Sequence, residues 1–418
     1  VQSSKLSLTE ALKDEGEKSV GGRGRKRVRR LLVVFETALA FVLVIGAGLL
    51  ARTFDHLRNV DPGFTPESTL TLQVALPVPK YGDPEVIAFF QRLAEEAAGL
   101  PGVRHVGFVN NLPLSGVDVT SSYFVEGQIP AVGEVVPEAD LGLISPDYFR
   151  ALGIPLLQGR HFEPQDGIEG RGAAGGVVIV DEELARRTWP GESPIGKRIK
   201  FNRSPDTPWR TVVGMVGHVK YSSLDSSSRE QLYVPFARIP SQAAFLVIRT
   251  DGDPNTLVGP VRDLVRKLDA ELPIFDVQTM TDRLAGSLAK RRLSMSLLLS
   301  LAVLALFLAA VGMYSVIAHS VTQRSREIGV RMALGARRWD IFNLVVGEGL
   351  VLALVGIAAG LALAYWATKL LGNLLFGISA TDLVTYSMTS LLLIATAAAA
   401  SYFPARRATR VSPMSARD

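Results

Sequence analysis

The chain has 418 residues, a formal net charge of +5 and no cysteine, which excludes a disulfide framework and a thiolate metal site. Apolar residues make up 48% of it beside 20% charged residues, a combination that indicates very apolar segments within otherwise soluble sequence. The Lys and Arg residues cluster next to the apolar segments, which favours membrane topology over nucleic-acid binding as their explanation.

A basic leader over residues 1–30 precedes the first of four stretches that are long and apolar enough to cross the ~30 Å hydrocarbon core as helices. The four predicted spans cover residues 31–52, 293–318, 341–367 and 386–403. A cleaved secretory signal is the alternative for the first span. Its apolar run is too long for such a signal, and no small-residue cleavage site clearly follows it.

The positions of Lys and Arg predict the orientation of the spans. Basic runs stand at residues 21–30, 322–340 and 404–410, all on one side of a four-span chain, whereas the short loop 372–382 contains neither residue type. The positive-inside rule therefore places both termini and the 322–340 loop in the cytoplasm. Residues 53–288 then form one large extracytoplasmic domain.

The extracytoplasmic stretch contains two βαβ-like units, each with a strand pattern, a helical pattern and a second strand pattern. The first unit has a strand over 69–77, a helix over 85–100 and a strand over 103–109; the second has a strand over 243–250, a helix over 254–268 and a strand over 273–280. Two such units separated by a strand-rich insertion, about 120–240, predict a split ferredoxin-like α/β core. A helical pattern over 281–292 runs into the second span.

The stretch WPGESPIGKRI, residues 189–199, comes within one residue of a phosphate-binding loop. A phosphate loop follows a strand and opens a helix, and a Ser or Thr after its lysine binds Mg²⁺. Here a helical pattern comes first, a strand pattern follows, and Arg198 replaces the Ser or Thr. The Pro and Gly residues of the stretch therefore predict a turn, and no nucleotide cofactor is expected.

Other catalytic signatures are not evident, and the chain is not expected to be an enzyme. The five histidines are far apart in sequence, without metal-binding spacing, and no G-x-S-x-G elbow occurs. Two acids fall inside predicted spans, Glu36 in the first and Glu348 in the third. An intramembrane acid is a functional candidate by default. Because both lie near the cytoplasmic end of a span, a packing role is favoured over a proton or substrate role.

The segment between the second and third spans, residues 320–350, is too charged for a span and too apolar for a simple loop. Ile328, Met332 and Leu334 are predicted to line one side of a short amphipathic helix that Gly335 ends. Such a helix at the cytoplasmic face can either rest on lipid or dock into a groove of a partner. REIGVRMALGARRWDIF in this segment, GMYSVIAHSV before it and SYFPARRATRVSPMSA near the end resemble the FtsX-type permease module of MacB-like ABC transporters. YFRALGIPLLQGRHF and WPGESPIGKRI resemble the periplasmic core domain of those transporters.

The resemblance implies a permease subunit in the bacterial inner membrane, with four transmembrane helices and a large α/β periplasmic core of the MacB type between the first and second. Residues 289–418 would be the FtsX-type module. A separate or fused ABC ATPase would bind the cytoplasmic helix, and the spans would transmit its motion to the outer domain for efflux or extraction of a compound. The positions implied to couple the ATPase are Arg326, Glu327, Ile328, Arg331, Leu334, Gly335 and Ala336.

Further partners are implied in the same way: the lipid bilayer, a periplasmic adaptor, and either a second permease half or a second copy of the chain. The leader resembles the joint before the second half of duplicated permeases, so a first four-span half is expected to precede it. Gly356 and Gly360 have the GxxxG spacing, for which close helix packing and ordinary small-residue content are both open. The alternative function is an FtsX-like regulatory scaffold that transmits the ATPase state to cell-wall hydrolases.

Overall fold

The computed structural model describes residues 7–128, 133–167, 175–201, 204, 206–224, 229–370 and 381–409. They group into two compact units: one contains the residues up to 58 and from 291 onward, and the other contains residues 59–290. Most of the short loop 372–382 and the last residue of the basic run 404–410 lie outside the described residues.

The helices of the described chain are, in order, α1 Ser7–Arg58, α2 Asp83–Ala98, α3 Tyr148–Leu152, α4 Glu182–Thr188, α5 Val258–Leu268, α6 Met280–Gln323, α7 Ser325–Ala333, α8 Arg338–Leu370 and α9 Leu383–Ala408. Four of them contain segments long and apolar enough to cross a membrane: residues 27–58, 291–323, 338–367 and 383–408. The prediction of four apolar spans is therefore confirmed. The helical pattern at 281–292 is part of α6, and α9 continues through Pro404 beyond the predicted end of the fourth span.

The described strands of the 59–290 unit form one twelve-stranded sheet. They are β1 Thr69–Ala75, β2 Val103–Val109, β3 Thr120–Ser122, β4 Phe124–Val125, β5 Glu138–Ile144, β6 Leu156–Gly159, β7 Val177–Asp181, β8 Arg198–Lys200, β9 Arg210–Val216, β10 Gln231–Pro235, β11 Ala243–Thr250 and β12 Ile274–Thr279. Their order is β12-β1-β11-β2-β5-β10-β7-β9-β8-β4, with β3 beside β5 and β6 beside β9.

The first four strands of that order form an antiparallel sheet of the ferredoxin-like type. β1 pairs with β12 and β11, and β2 pairs with β11, so the strands of the two predicted βαβ-like units alternate in the sheet. Leu70, Leu72 and Val74 of β1 are fully buried and share a core with Phe90 and Leu93 of α2. Burial of each such side chain stabilises the fold by about 1.5–3 kcal/mol relative to exposure.

The insertion between the two units extends the same sheet. β5 and β10 are parallel, as are β7 and β9, while β10 and β7 are antiparallel. The insertion joins the ferredoxin-like part where Val109 of β2 pairs with Ile144 of β5. Next to that pair, the Phe108 N–H donates to Ser145 Oγ at 2.9 Å, and the Ser145 N–H donates to the Phe108 carbonyl oxygen at 3.0 Å. A few hydrogen bonds thus hold this junction of the sheet.

The stretch that approaches a phosphate loop is a turn between α4 and β8. Gly191 and Gly196 have φ of +79° and +83°, the left-handed region that glycine adopts without strain. The Gly196 N–H donates to the Val212 carbonyl oxygen at 2.8 Å, which attaches the turn to β9. Lys197, the residue that would contact phosphate, places Nζ 2.6 Å from a carboxylate oxygen of Glu192. The order helix, turn, strand is the reverse of a phosphate loop.

Candidate functional site

The predicted coupling segment forms the short helix α7, which ends at a glycine as expected. Gly335 has φ of +99°, and the chain reverses there because the Ala336 N–H donates to the Arg331 carbonyl oxygen at 3.0 Å. The Gly335 N–H donates to the Met332 carbonyl oxygen at 3.2 Å. This pair of bonds satisfies carbonyl groups at the helix end, and it requires a residue in the left-handed conformation at position 335.

One side of α7 is buried among the membrane helices. Ile328 is only 3% exposed and belongs to an apolar cluster with Met313 of α6 and Ile341 of α8, against which Met332 and Ala336 pack. The prediction that Leu334 shares this side is wrong, because Leu334 is 83% exposed. Six residues at 3.6 residues per turn place Leu334 about 240° around the axis from Ile328, whereas Met332 lies only about 40° away.

The other side of α7 is free within the described chain and carries both polar and apolar groups. Arg331 donates to Glu327 at 2.7 Å across one helical turn, and both side chains are about half exposed. Val330 and Leu334 are exposed beside this pair, and Trp339 at the start of α8 is 66% exposed. Sequence reasoning missed Val330 and Trp339, although Trp339 stands four residues after Gly335 and aromatic residues are enriched at protein interfaces.

Glu348 of α8 is paired with cations. Its Oε1 accepts a hydrogen bond from Arg30 of α1, and its Oε2 accepts one from Ser320 Oγ of α6 at 3.2 Å and lies 3.7 Å from Nη1 of Arg324. Arg324 directly precedes α7. The carboxylate therefore links the start of α7 to α1, α6 and α8, which supports the packing role for Glu348, because removal of one partner would leave a poorly solvated charge.

Glu36 of α1 has a different environment. Within the described chain its Oε2 is buried and has no hydrogen-bond partner. The side chain lies against Gly312 of α6, where a Cβ would collide with that oxygen. The approach of α1 to α6 at this level therefore depends on a residue without a side chain.

Gly356 and Gly360 of α8 face α1. A Cβ at Gly356 would lie 2.6 Å from the Cβ of Thr37, and a Cβ at Gly360 would lie 2.8 Å from the Cβ of Phe41. Thr37 and Phe41 are fully buried and one turn apart. The GxxxG spacing thus lies at a contact with the first span of the same chain.

Among the described residues, no group of three or more His, Asp or Glu is arranged to hold a metal ion.

Two family profiles match the chain in the order that this architecture requires. The MacB-like periplasmic core domain matches residues 37–266, more than half of the chain, and the FtsX-like permease C-terminal domain matches residues 299–413. The chain belongs to the MacB-like permease family. This family assignment confirms the resemblance seen in the sequence, and it makes the MacB-like chain a multi-pass permease component of the bacterial inner membrane. The FtsX-like match includes α7, Glu348, Gly356 and Gly360.

Curated relatives of this MacB-like permease include two named exporters. The macrolide export ATP-binding/permease protein MacB of Hahella chejuensis is 24% identical over 408 residues, which is 93% of this chain and 58% of that protein. The probable syringafactin export ATP-binding/permease protein SyfD of Pseudomonas syringae is 29% identical over 275 residues, 62% of this chain and 41% of that protein. The chain thus spans a little over half the length of the MacB relative from Hahella chejuensis.

A solved structure is also similar to the outer part of the MacB-like permease. The periplasmic region of MacB from Actinobacillus actinomycetemcomitans aligns with 53% of this chain and 92% of that chain, at 18% identity and a TM-score of 0.35.

Proposed function

We propose that this MacB-like permease is the membrane subunit of an ABC transporter in which a partner ATPase drives a conformational change of the 59–290 domain. The change exports or extracts a compound at the outer side of the membrane. Both termini and α7 face the cytoplasm, as the distribution of Lys and Arg suggests. The names of the relatives, macrolide export and syringafactin export, support an exported compound as the cargo.

The observation that carries the proposal is the division of α7 into a held side and a free side. Ile328 anchors the helix in the apolar cluster of the membrane unit. Val330 and Leu334 are exposed on the side of α7 that carries the Glu327–Arg331 ion pair, and Trp339 at the start of α8 is exposed as well. Apolar anchors beside charged groups are typical of a helix that docks into a groove of another protein.

Two contacts transmit a displacement of α7 to the membrane helices. The first is the packing of Ile328 against α6 and α8. The second is Arg324, whose guanidinium lies by Glu348, the carboxylate that also accepts from Arg30 of α1. Packed helices move as discrete bodies, so a displaced α7 shifts its neighbours rather than deforming alone. A second permease copy or half, and a periplasmic adaptor, complete the proposed assembly.

The test measures how the permease affects its ATPase. The full chain is purified from native membranes with the ATPase subunit that accompanies it, and both are reconstituted in lipid vesicles. Replacement of Glu327 and Arg331 by Ala, or of Leu334 by Asp, should weaken ATPase binding by roughly tenfold or more, because these changes remove or charge the centre of the docking face. The stimulation of ATP hydrolysis by the permease should fall accordingly.

The matched control changes Arg92 and Glu96 to Ala, since these residues form an ion pair of the same i,i+4 spacing on α2 of the outer unit. This variant should stimulate ATP hydrolysis as the unchanged chain does. Unchanged stimulation in the α7 variants would remove the coupling assignment. Normal coupling in vesicles without any cargo movement, together with co-purification of a cell-wall hydrolase, would favour the regulatory scaffold instead.

A further inference from the structure

A cleft of about 250 Å³ lies at the junction of the two parts of the outer sheet. Its floor is apolar and buried, and includes Val106 and Phe108 of β2 and Phe236 just after β10. One wall is α2, with Ile87 and Ala94, and the opposite wall is the segment that contains residues 163–167. An apolar concave surface with a few polar groups at its edge is the usual form of a small-molecule site.

Among the residues that the structure describes, the charged groups that line the cleft are carboxylates: Glu95 from α2, Glu163 from the opposite wall and Asp147 from the loop after β5. Asp147 already has polar partners, because it accepts from the guanidinium of Arg150 at 3.0 Å and lies 2.9 Å from His105 Nδ1. The Asp147 carboxylate is therefore already paired within the chain, unlike a carboxylate that could pair with a ligand.

The two glutamates differ from Asp147. Glu95 is exposed and makes no ion pair within the described chain. Glu163 accepts from the Gln165 side chain, and the nearest guanidinium is that of Arg160 at 3.9 Å. That guanidinium is held by both oxygens of Asp166, at 2.7 and 3.0 Å. Two carboxylates without a dedicated cation thus occupy opposite walls above an apolar floor.

We propose that this cleft binds the amine end of an amphipathic cation, with the ammonium group between Glu95 and Glu163 and the apolar body against Phe108 and Phe236. Charge complementarity selects the cation, and the apolar floor favours burial of the apolar body. The volume is below that of a site for a whole drug-sized molecule, so the cleft holds one end of a larger compound. The inference that the bound cation is an exported compound rests on the proposed function.

The test uses the full chain in nanodiscs of zwitterionic phosphatidylcholine, without any ATPase. The probe is dansylcadaverine, a primary amine attached to a fluorescent aromatic group, and its binding is followed by anisotropy against empty nanodiscs. The chain should bind the probe, and Glu95→Gln with Glu163→Gln should weaken the binding roughly tenfold, the effect of losing charge-assisted hydrogen bonds. Ala94→Phe, which fills the cleft without changing its charge, should weaken it as well.

Two controls make the result specific. The N-acetylated probe, which has no positive charge, should bind no better to the chain than to empty nanodiscs. Glu85→Gln changes an exposed glutamate of the same helix that does not line the cleft, and it should leave the affinity unchanged. Equal affinity in the glutamine variants, equal binding of the acetylated probe, or no binding by the unchanged chain would overturn the proposal.

Because no ATPase is present, the outcome is separate from the test of coupling. If the chain binds the amine but does not stimulate its ATPase, the proposed function is refuted and the proposed binding site stands. A coupled chain without amine binding would refute the site alone.

Discussion

Asp140 on β5 is a buried carboxylate whose negative charge is only weakly balanced by neighbouring groups. Its side chain is nearly inaccessible, its Oδ1 has no hydrogen bond within the described chain, and the nearest guanidinium, that of Arg229, is 3.7 Å away. Burial raises the pKa of Asp140 to about 6 from 3.8, against the lowering effect of Arg229. Nothing in the sequence EADLGLI distinguishes this residue from an ordinary exposed strand carboxylate, because burial there depends on neighbouring strands far away in the chain.

The raised pKa predicts how the stability of the outer domain depends on pH. The folded state binds the Asp140 proton more tightly than the unfolded state, so its ionisation lowers stability as pH rises from about 3.8 to about 6. Asp140→Asn should therefore stabilise the chain at pH 7.5, by on the order of 1 kcal/mol, and the gain should shrink toward pH 4. Thermal unfolding of both chains at the two pH values measures this difference.

Asp263→Asn is the control for this measurement, since Asp263 is an exposed carboxylate on α5. Its effect on stability should be small at both pH values. A lower stability of Asp140→Asn at pH 7.5 would show that the carboxylate is well compensated in the folded chain.

At the scale of the element, the contact between α1 and α8 is made close by the absence of side chains at Gly356 and Gly360. GxxxG spacing was visible in the sequence, but the spacing could not identify the partner helix, because any helix with suitable packing residues can occupy the groove. The structure assigns Thr37 and Phe41 of α1 to it. These two residues appear in the sequence only as ordinary members of an apolar run.

Gly356→Ala and Gly360→Ala should each destabilise the membrane unit, since the added methyl groups would overlap Thr37 and Phe41. Overpacking of this kind typically costs about 1–3 kcal/mol. Gly347→Ala is a matched control in the same helix, because a Cβ there meets no atom within 4 Å. This variant should be neutral or slightly more stable, given the higher helix propensity of Ala. Thermal unfolding in detergent compares the three variants, and equal melting temperatures would contradict the close packing.

For α7 as well, the sequence predicts local features but not contacts with distant residues. Its existence, its glycine end and the burial of Ile328 follow from a pattern of nine residues with a glycine after it. The outward direction of Leu334 follows from the helix geometry as well, and the prediction failed there because it grouped residues by hydrophobicity rather than by angle. The link from Arg324 to Glu348 could not be predicted, since it joins the residue before α7 to a residue within α8.

At the scale of the whole molecule, the topology prediction can be tested directly, because the chain contains no cysteine and single cysteines can be added. Val135 in the outer unit is 93% exposed and Leu334 after α7 is 83% exposed. In intact cells with a permeable outer membrane, a membrane-impermeant maleimide should label Val135→Cys but not Leu334→Cys. Both should react after the inner membrane is permeabilised.

The unchanged cysteine-free chain is the control, and it should remain unlabelled. Labelling of Leu334→Cys in intact cells, or protection of Val135→Cys, would invert the proposed topology. It would also remove α7 from the side of the membrane where ATP is abundant, and with it the proposed coupling.

The sequence by itself determined the features that depend on local composition and period. Four apolar runs, two βαβ-like units and the glycine-ended helix between the second and third spans could all be recognised, because hydrophobic length, alternation and backbone restriction act over a few neighbouring residues. Only the tertiary structure decided which strands alternate in the ferredoxin-like sheet, which helix receives Gly356, and that Glu95 and Glu163 line one cleft. These are contacts between residues distant in the chain, and their free energies depend on packing and desolvation that arise only when the elements meet.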